Sequence, residues 1–360
     1  MIDEMKIVDL RSDTVTLPTV EMMRAIREAR LGDDQYREDP TVNELQVRAA
    51  DRLGKEDALL VVSGTQANLI SILSQTQRGH KVILEEESHI YYSEKGGISA
   101  IAGLIAHTVK GRFGVPDPSD LRKIAEDHRG YHQAKPTLLC LENTHNRAGG
   151  TCITPDQTNE LASTARSYGM NVHIDGARIF NAAVALNVDI KDLTRNADSV
   201  TFCLSKGLSC PLGSIIAGNR EFIEKARIHR LMLGGAMRQA GIIAAPGLVA
   251  IESMIDRLKD DHINSKTLAE GLVEIGVKID MERVQTNIVL IDVSQFGATA
   301  SDFILCVEKE GVKASNYGPA TVRMVTHRGI EKEDIEYAIE AINRALKHIG
   351  RNEKFVPKKS

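Results

Sequence analysis

Between Asp57 and Asn219, short apolar runs alternate with longer stretches whose apolar positions recur at helical spacing. Runs too short for helices and rich in Val, Ile and Leu predict strands over 58–62, 81–84, 137–141, 171–174 and 199–204. Helical spacing predicts a helix over 65–77 and another starting at Thr154-Pro155. There the threonine hydroxyl can cap the first turn, and proline gives up an N–H that has no partner anyway. Strand and helix in alternation specify a mostly parallel α/β sheet.

Beyond Gly235 the pattern lengthens into helix, with an apolar stripe through Ile242, Ile243, Leu248, Ile251 and Ile255. A charged patch at 256–261 follows and marks the passage into a second unit. Strands are predicted there over 285–293 and 321–325, with helices over 300–310 and 332–349. The division expected is an N-terminal segment and large domain over 1–255 and a small C-terminal α/β domain over 256–360. The pattern holds no internal repeat and no low-complexity segment.

Composition narrows the function classes. The 360 residues are 42% hydrophobic and 26% charged, with a formal net charge of -4, which gives no electrostatic case for nucleic acid or an anionic membrane. The basic residues Lys354, Lys358 and Lys359 read as a frayed end. No stretch reaches the roughly 18 consecutive apolar residues that span a bilayer, and charges stand where a signal peptide needs its apolar region. A cytoplasmic location is expected. Five cysteines, widely spaced and without a CxxC pair, indicate buried thiols in place of a disulfide framework or a zinc ribbon.

Candidate chemistry lies at the predicted strand ends. Asp175 closes the 171–174 run and Lys206 follows the 199–204 run in Ser-Lys-Gly. A lysine can form a Schiff base, and an aspartate can keep a pyridine nitrogen protonated, so the pair suits pyridoxal 5'-phosphate. Each alone is as readily a solvated turn lysine and a helix cap. Ser63, Gly64 and Thr65 sit where a strand turns into a helix, which makes either an ordinary N-cap or a phosphate cradle of free amides at the positive helix end. His89 and His145 follow two further strands, and an imidazole at either place can stack on a planar ring or serve structure. His173 and Asp175 share a strand face, but a metal site needs a third ligand that the spacing does not supply. Arg178 and Arg323, one in each proposed domain, suit an amino acid carboxylate or a surface ion pair.

These residues fall within motifs that together resemble the low-specificity L-threonine aldolases, pyridoxal phosphate enzymes of fold type I with the aspartate aminotransferase architecture. The motifs are Asp9-Leu-Arg-Ser-Asp-Thr-Val-Thr16, Gly32-Asp-Asp, Glu38-Asp-Pro-Thr-Val-Asn43, Gly64-Thr-Gln-Ala-Asn68, Leu141-Glu-Asn-Thr-His-Asn146, His173-Ile-Asp-Gly-Ala-Arg-Ile-Phe-Asn181, Leu204-Ser-Lys-Gly-Leu208 and Gly234-Gly-Ala-Met-Arg-Gln-Ala-Gly241. They occur in order over nearly the whole chain.

The resemblance implies a seven-stranded, mostly parallel sheet between helices, and an assignment for each site residue. Lys206 is the expected Schiff-base lysine, Asp175 the partner of the pyridine nitrogen and His89 the ring stacked on the cofactor. Ser63, Gly64 and Thr65 hold its phosphate. Ser12, Arg178 and Arg323 contact the substrate carboxylate, and His145 lies with His89 near the substrate hydroxyl. Arg238 and Tyr36 lie close to the site at a subunit interface, which implies a homotetramer of dimers with shared active sites. Three positions depart from the family: Arg37 where glycine is common, Leu231 near a usual lysine, and Ser209-Cys210 in place of a small apolar pair.

The reaction implied is cleavage of L-threonine or L-allo-threonine, or of other β-hydroxy-α-amino acids, to glycine and an aldehyde. The base that takes the β-hydroxyl proton is open between His145 and His89. Another fold type I lyase that eliminates a β-substituent would use the same groups, as would a non-catalytic cofactor-binding regulator.

Overall fold

The computed structural model describes residues 6–127 and 132–349. Lys354, Lys358 and Lys359 lie outside the described residues. The chain divides into two compact units, one of residues 17–257 and one of residues 6–16 with 258–349. The division after Arg257 falls inside the charged patch at 256–261.

Among the described residues, seven strands of the large unit form one sheet: β1 (Asp57–Val61), β2 (Lys81–Glu85), β3 (Ile105–Val109), β4 (Pro136–Glu142), β5 (Asn171–Asp175), β6 (Ser199–Cys203) and β7 (Ser214–Gly218), in the order β1-β7-β6-β5-β4-β2-β3. The neighbours from β6 to β3 are parallel, and β7 is antiparallel to both β6 and β1. All strands but β7 therefore run the same way and end on one edge of the sheet.

Strands buried on both faces read as continuous apolar runs. Leu59 and Val61 of β1 pack with Ile70, Ile216, Phe222 and Ile223, while Val82 and Leu84 of β2 pack with Ile72, Ile90 and Leu138. Two strands have no counterpart in the sequence pattern. β3 is half exposed at its start, so its pattern is diluted by Ala106, His107 and Thr108. β7 follows the lysine loop so closely that its run reads as part of the loop.

Helix α1 (Gly64–Gln75) follows β1, and α2 (Pro155–Ser167) follows β4. Thr154 caps α2 through a reciprocal pair with Gln157: the Gln157 N–H donates to Thr154 Oγ1 at 3.2 Å, and the Thr154 N–H donates to Gln157 Oε1 at 2.9 Å.

In the small unit, Ile288–Asp292, Thr321–Val325 and Ser315–Asn316 form an antiparallel sheet beside the helices Leu258–Glu274, Ala300–Lys309 and Lys332–Ile349. Phe303, Leu268, Val289, Met324 and Ile342 lie in its core. The N-terminal segment, expected with the large domain, belongs to this unit instead. Val8–Asp9 pairs in parallel with Val312–Lys313, and Val8 and Leu10 are buried in the same core. Two short apolar residues among charged ones carry no signal of so distant a partner.

Candidate active site

The C-terminal ends of β1, β2, β4, β5 and β6 share one edge of the large sheet, and Ser63, Gly64, Thr65, His89, His145, Asp175, Arg178 and Lys206 lie at or just beyond those ends. Such an edge is where open α/β sheets bind ligands. Ser63 caps α1, its Oγ accepting the Gln66 N–H at 3.2 Å. Gly64 and Thr65 open the helix, and their amides stand where no carbonyl one turn back can reach them. A Cβ at Gly64 would come within 2.8 Å of Cys203 Sγ, so only glycine lets this turn lie against β6. Two open amides at the positive end of a helix, on a backbone packed this closely, fit the phosphate of pyridoxal phosphate.

Asp175, the last residue of β5, is buried. Its Oδ1 accepts the Ala177 N–H at 3.1 Å and its Oδ2 accepts from Asn68 Nδ2 at 2.8 Å. Behind it lies a directed chain. The buried His173 is pushed down to about 4 by burial, so its ring is neutral. Ser199 Oγ lies 2.8 Å from its Nδ1, and Asn68 Oδ1 lies 3.2 Å from its Nε2. Thr201 Oγ1 donates to the same Asn68 oxygen at 3.2 Å. The Asn68 amide is thereby oriented, and its Nδ2 donates both to Asp175 and, at 2.9 Å, to Glu94 Oε1. Glu94 Oε1 also lies 2.9 Å from His89 Nδ1. The sequence pattern marks neither residue: Asn68 closes the Gly64-Thr-Gln-Ala-Asn68 motif, and Glu94 has no neighbour in the chain to signal it.

His89, Glu94 and Asp175 bring ligand atoms within 4.8 Å of one another, a spacing a metal ion could use. The Asn68 NH₂ donates to both carboxylates, and hydrogens placed there repel a cation. The cluster is held by hydrogen bonds, and His173 serves it from behind.

His145 follows β4 but is only 1% exposed. Its Nε2 lies 2.9 Å from Glu85 Oε2, and its Nδ1 accepts the Ala148 N–H at 3.1 Å. Burial opposes charge on this ring, yet Glu142 and Glu85 outweigh it and raise its pKa. Glu142 also receives the backbone N–H groups of His89, at 2.5 Å, and Asn146, at 2.8 Å. Of the two candidate bases, then, His145 has both ring nitrogens engaged, whereas His89 has one engaged and a side chain 31% exposed.

Lys206 is half buried in the turn after β6, its carbonyl accepting the Ser209 N–H at 2.8 Å. Ser209 lies in the left-handed region at φ 65°, and Arg37 does so at φ 61°. Both are departures from the family pattern, and the backbone at Arg37 explains why glycine is common there: only glycine adopts it without strain. Arg178 is buried, three residues beyond Asp175.

Tyr36 is exposed on a 3₁₀ turn, Asp34–Tyr36, anchored from beneath. Arg230 Nη2 lies 2.8 Å from Asp34 Oδ2, both side chains being buried, and Arg230 Nη1 donates to the Leu60 carbonyl at 2.9 Å. The Asp34 N–H donates to the Arg238 carbonyl at 2.9 Å, and Arg238 Nη1 donates to Gln35 Oε1 at 2.6 Å. Arg238 is thus bonded to the turn that presents Tyr36. In the small unit Arg323 Nη2 donates to the Arg11 carbonyl at 3.1 Å, beside Ser12, and the guanidinium stacks 4.7 Å from the Tyr317 ring centre.

Known proteins share this architecture. The fold matches a threonine aldolase structure from Leishmania major with a TM-score of 0.82 at 18% identity, covering 94% of this chain and 99% of that one. It also matches Sphingomonas wittichii serine palmitoyltransferase with a TM-score of 0.75 at 17% identity, covering 96% and 88%. The class is therefore fold type I.

A family model described as beta-eliminating lyase matches residues 9–295. Low-specificity L-threonine aldolase 1 of Arabidopsis thaliana is 40% identical over 347 residues, 95% of this chain and 97% of that protein. The low specificity L-threonine aldolase of Escherichia coli (strain K12) is 39% identical over 328 residues, 91% and 96% of the two. The chain belongs to the beta-eliminating lyase family, in the branch that holds the low-specificity L-threonine aldolases.

Proposed function

We propose that this protein is a pyridoxal phosphate-dependent carbon–carbon lyase that cleaves L-threonine, L-allo-threonine and related β-hydroxy-α-amino acids to glycine and an aldehyde. The observation that carries the reading is the meeting of Asp175, the Ser63-Gly64-Thr65 turn, His89 and the Lys206 loop on one sheet edge, in a chain 40% identical to a named aldolase over nearly its full length.

When bound, pyridoxal phosphate supplies an electron-withdrawing ring conjugated to the substrate nitrogen. Lys206 offers the primary amine for covalent attachment. The Asp175 carboxylate, fixed by Asn68 and the Ala177 amide, faces the need for a negative charge at the pyridine nitrogen. Arg178, buried three residues beyond Asp175, is assigned to the substrate carboxylate, which sets the angle of the Cα–Cβ bond. His89 takes the β-hydroxyl proton, the O–H electron pair becomes the second bond of the departing carbonyl, and the Cα–Cβ pair passes to Cα. A proton returned to Cα completes glycine.

A homotetramer of dimers with shared sites is proposed by analogy with the family, and the exposure of Tyr36 and Arg238 is compatible with a second copy of the chain covering them. Five buried free thiols suit the reducing cytoplasm. Among the described residues no helix is long and apolar enough to cross a membrane.

The test is incubation of the purified holoenzyme with each threonine isomer, following acetaldehyde and the visible cofactor band together. Acetaldehyde from either isomer supports the reading. Pyruvate from serine or cysteine without acetaldehyde from either threonine overturns it in favour of elimination. Lys206→Ala is expected to lose both turnover and the protein-bound band, and an unchanged rate in that variant refutes the assignment.

A further inference from the structure

We infer that Glu94 is a positioning residue for His89: it holds the proton of His89 Nδ1, so that Nε2 stands open to take the substrate's hydroxyl proton directly or through one water. The inference rests on the functional reading above and adds a residue to it.

The argument starts from the deepest part of the site. His173, being neutral, carries one ring proton, and its Nδ1 faces the Ser199 hydroxyl, which also receives Gln75 Nε2 at 2.7 Å. Asn68 Nδ2 faces the Asp175 carboxylate, so its Oδ1 faces His173, and because an amide oxygen can only accept, the His173 proton is on Nε2 and Nδ1 is left to accept from the Ser199 hydroxyl. With the Thr201 hydroxyl on the same oxygen, the Asn68 amide has one possible orientation, NH₂ outward. Its two hydrogens go to Asp175 Oδ2 and Glu94 Oε1.

Every donor in this chain points the same way, and it ends on two carboxylates. Glu94 Oε1 has therefore only acceptor capacity left for His89, and the hydrogen between them sits on His89 Nδ1.

The rest of the residue is fixed as well. The His89 backbone N–H is tied to Glu142 Oε2 at 2.5 Å, so the chain cannot slide when the ring is loaded. The Glu94 side chain is 5% exposed and that of His89 is 31% exposed, so the dyad has a buried inner end and an open outer one. Among the described residues Nε2 of His89 has no hydrogen-bond partner. A proton arriving there leaves the bond to Glu94 intact, and the imidazolium forms without rearrangement of its neighbours. The charged groups facing the ring are Glu94, Asp175 and Glu142. Burial works against the charged ring, but these carboxylates prevail and its pKa is raised.

The same chain joins Glu94 to Asp175 through one amide. The group that would meet the pyridine nitrogen and the group that steadies the base are thereby set by a single side chain, Asn68.

The experiment is histidine-selective ¹⁵N NMR of the holoenzyme without substrate, with His89 assigned from a His89→Gln sample. The wild-type protein is expected to show His89 as the neutral Nδ1–H tautomer. In Glu94→Gln the amide can turn its NH₂ toward Nδ1, so that tautomer should be lost and the titration midpoint of His89 should fall by about one pH unit. The acid limb of kcat/KM should move to lower pH by the same amount while kcat drops about tenfold or more with little change in KM. Glu94→Asp should recover part of each effect.

An Nε2–H tautomer in the wild type overturns the inference whether or not any variant folds. So does a His89 midpoint unmoved in Glu94→Gln with cofactor binding intact. A protein with the Nδ1–H tautomer that cleaves no β-hydroxy amino acid refutes the proposed reaction and leaves the Glu94–His89 pairing supported.

Discussion

His145 and Glu85 close on one another at 2.9 Å, imidazole Nε2 to carboxylate Oε2, with both side chains buried. Gly114 packs on the ring so tightly that a Cβ there would lie 2.3 Å from His145 Cγ. His145 therefore ties β2 to the loop after β4. His145→Ala would leave a cavity and a buried carboxylate without its partner, and should cost about 2–4 kcal/mol. His89→Ala should remove the base at a much smaller cost in stability. Denaturant midpoints and turnover measured on both variants check this, and a His145→Ala protein as stable as the wild type would show that the pair is not structural.

Gly64→Ala should weaken cofactor binding, because its Cβ would meet Cys203 Sγ at 2.8 Å and push the turn outward. A loss of about tenfold in affinity corresponds to about 1.4 kcal/mol. Adding Cys203→Ala removes the clashing sulfur and should restore most of it. Titration of the apoprotein with pyridoxal phosphate, followed by absorbance, measures both.

The buried neutral His173 makes folding stability depend on acid. Its folded pKa is pushed down to about 4 by desolvation, below the ordinary 6.5. Between those values the unfolded chain binds a proton that the folded chain refuses, so stability falls as pH drops through 6.5 and the loss is complete near 4. It amounts to about 3 kcal/mol. Urea unfolding across pH 4–7 should show a shallower slope in His173→Asn than in the wild type, and identical slopes would count against a neutral buried ring.

Arg230 and Asp34 form a buried ion pair beneath the turn that presents Tyr36. Arg230→Met leaves the Asp34 carboxylate buried alone and should cost about 3–5 kcal/mol, whereas Arg230→Met with Asp34→Leu should recover most of that. If the single and double variants melt together, the pair does not hold the turn.

The strand ends were legible because each is a buried apolar run closed by a charged or polar residue. That pattern alone places Asp175, Lys206, His89 and the Ser63 turn at strand ends that share an edge. The resemblance supplied the family, and the relatives bear it out. What stayed hidden was pairwise geometry. Nothing at Glu94 or Asn68 in the chain announces that one amide links two carboxylates, and nothing at His145 tells whether its nitrogens face a substrate or Glu85. The N-terminal segment was misplaced for a related reason: a two-residue strand has too little periodicity to name a partner three hundred positions away.

That strand also bears on how the protein is made. The large unit is one uninterrupted stretch, but Val8–Asp9 must wait for Val312–Lys313 to be synthesised. At about 5–20 residues per second, that strand spends on the order of 15–60 s with unmatched backbone amides and bare apolar side chains. For that interval the nascent chain carries an unpaired, adhesive strand, and the arrival of Val312–Lys313 is what shields it.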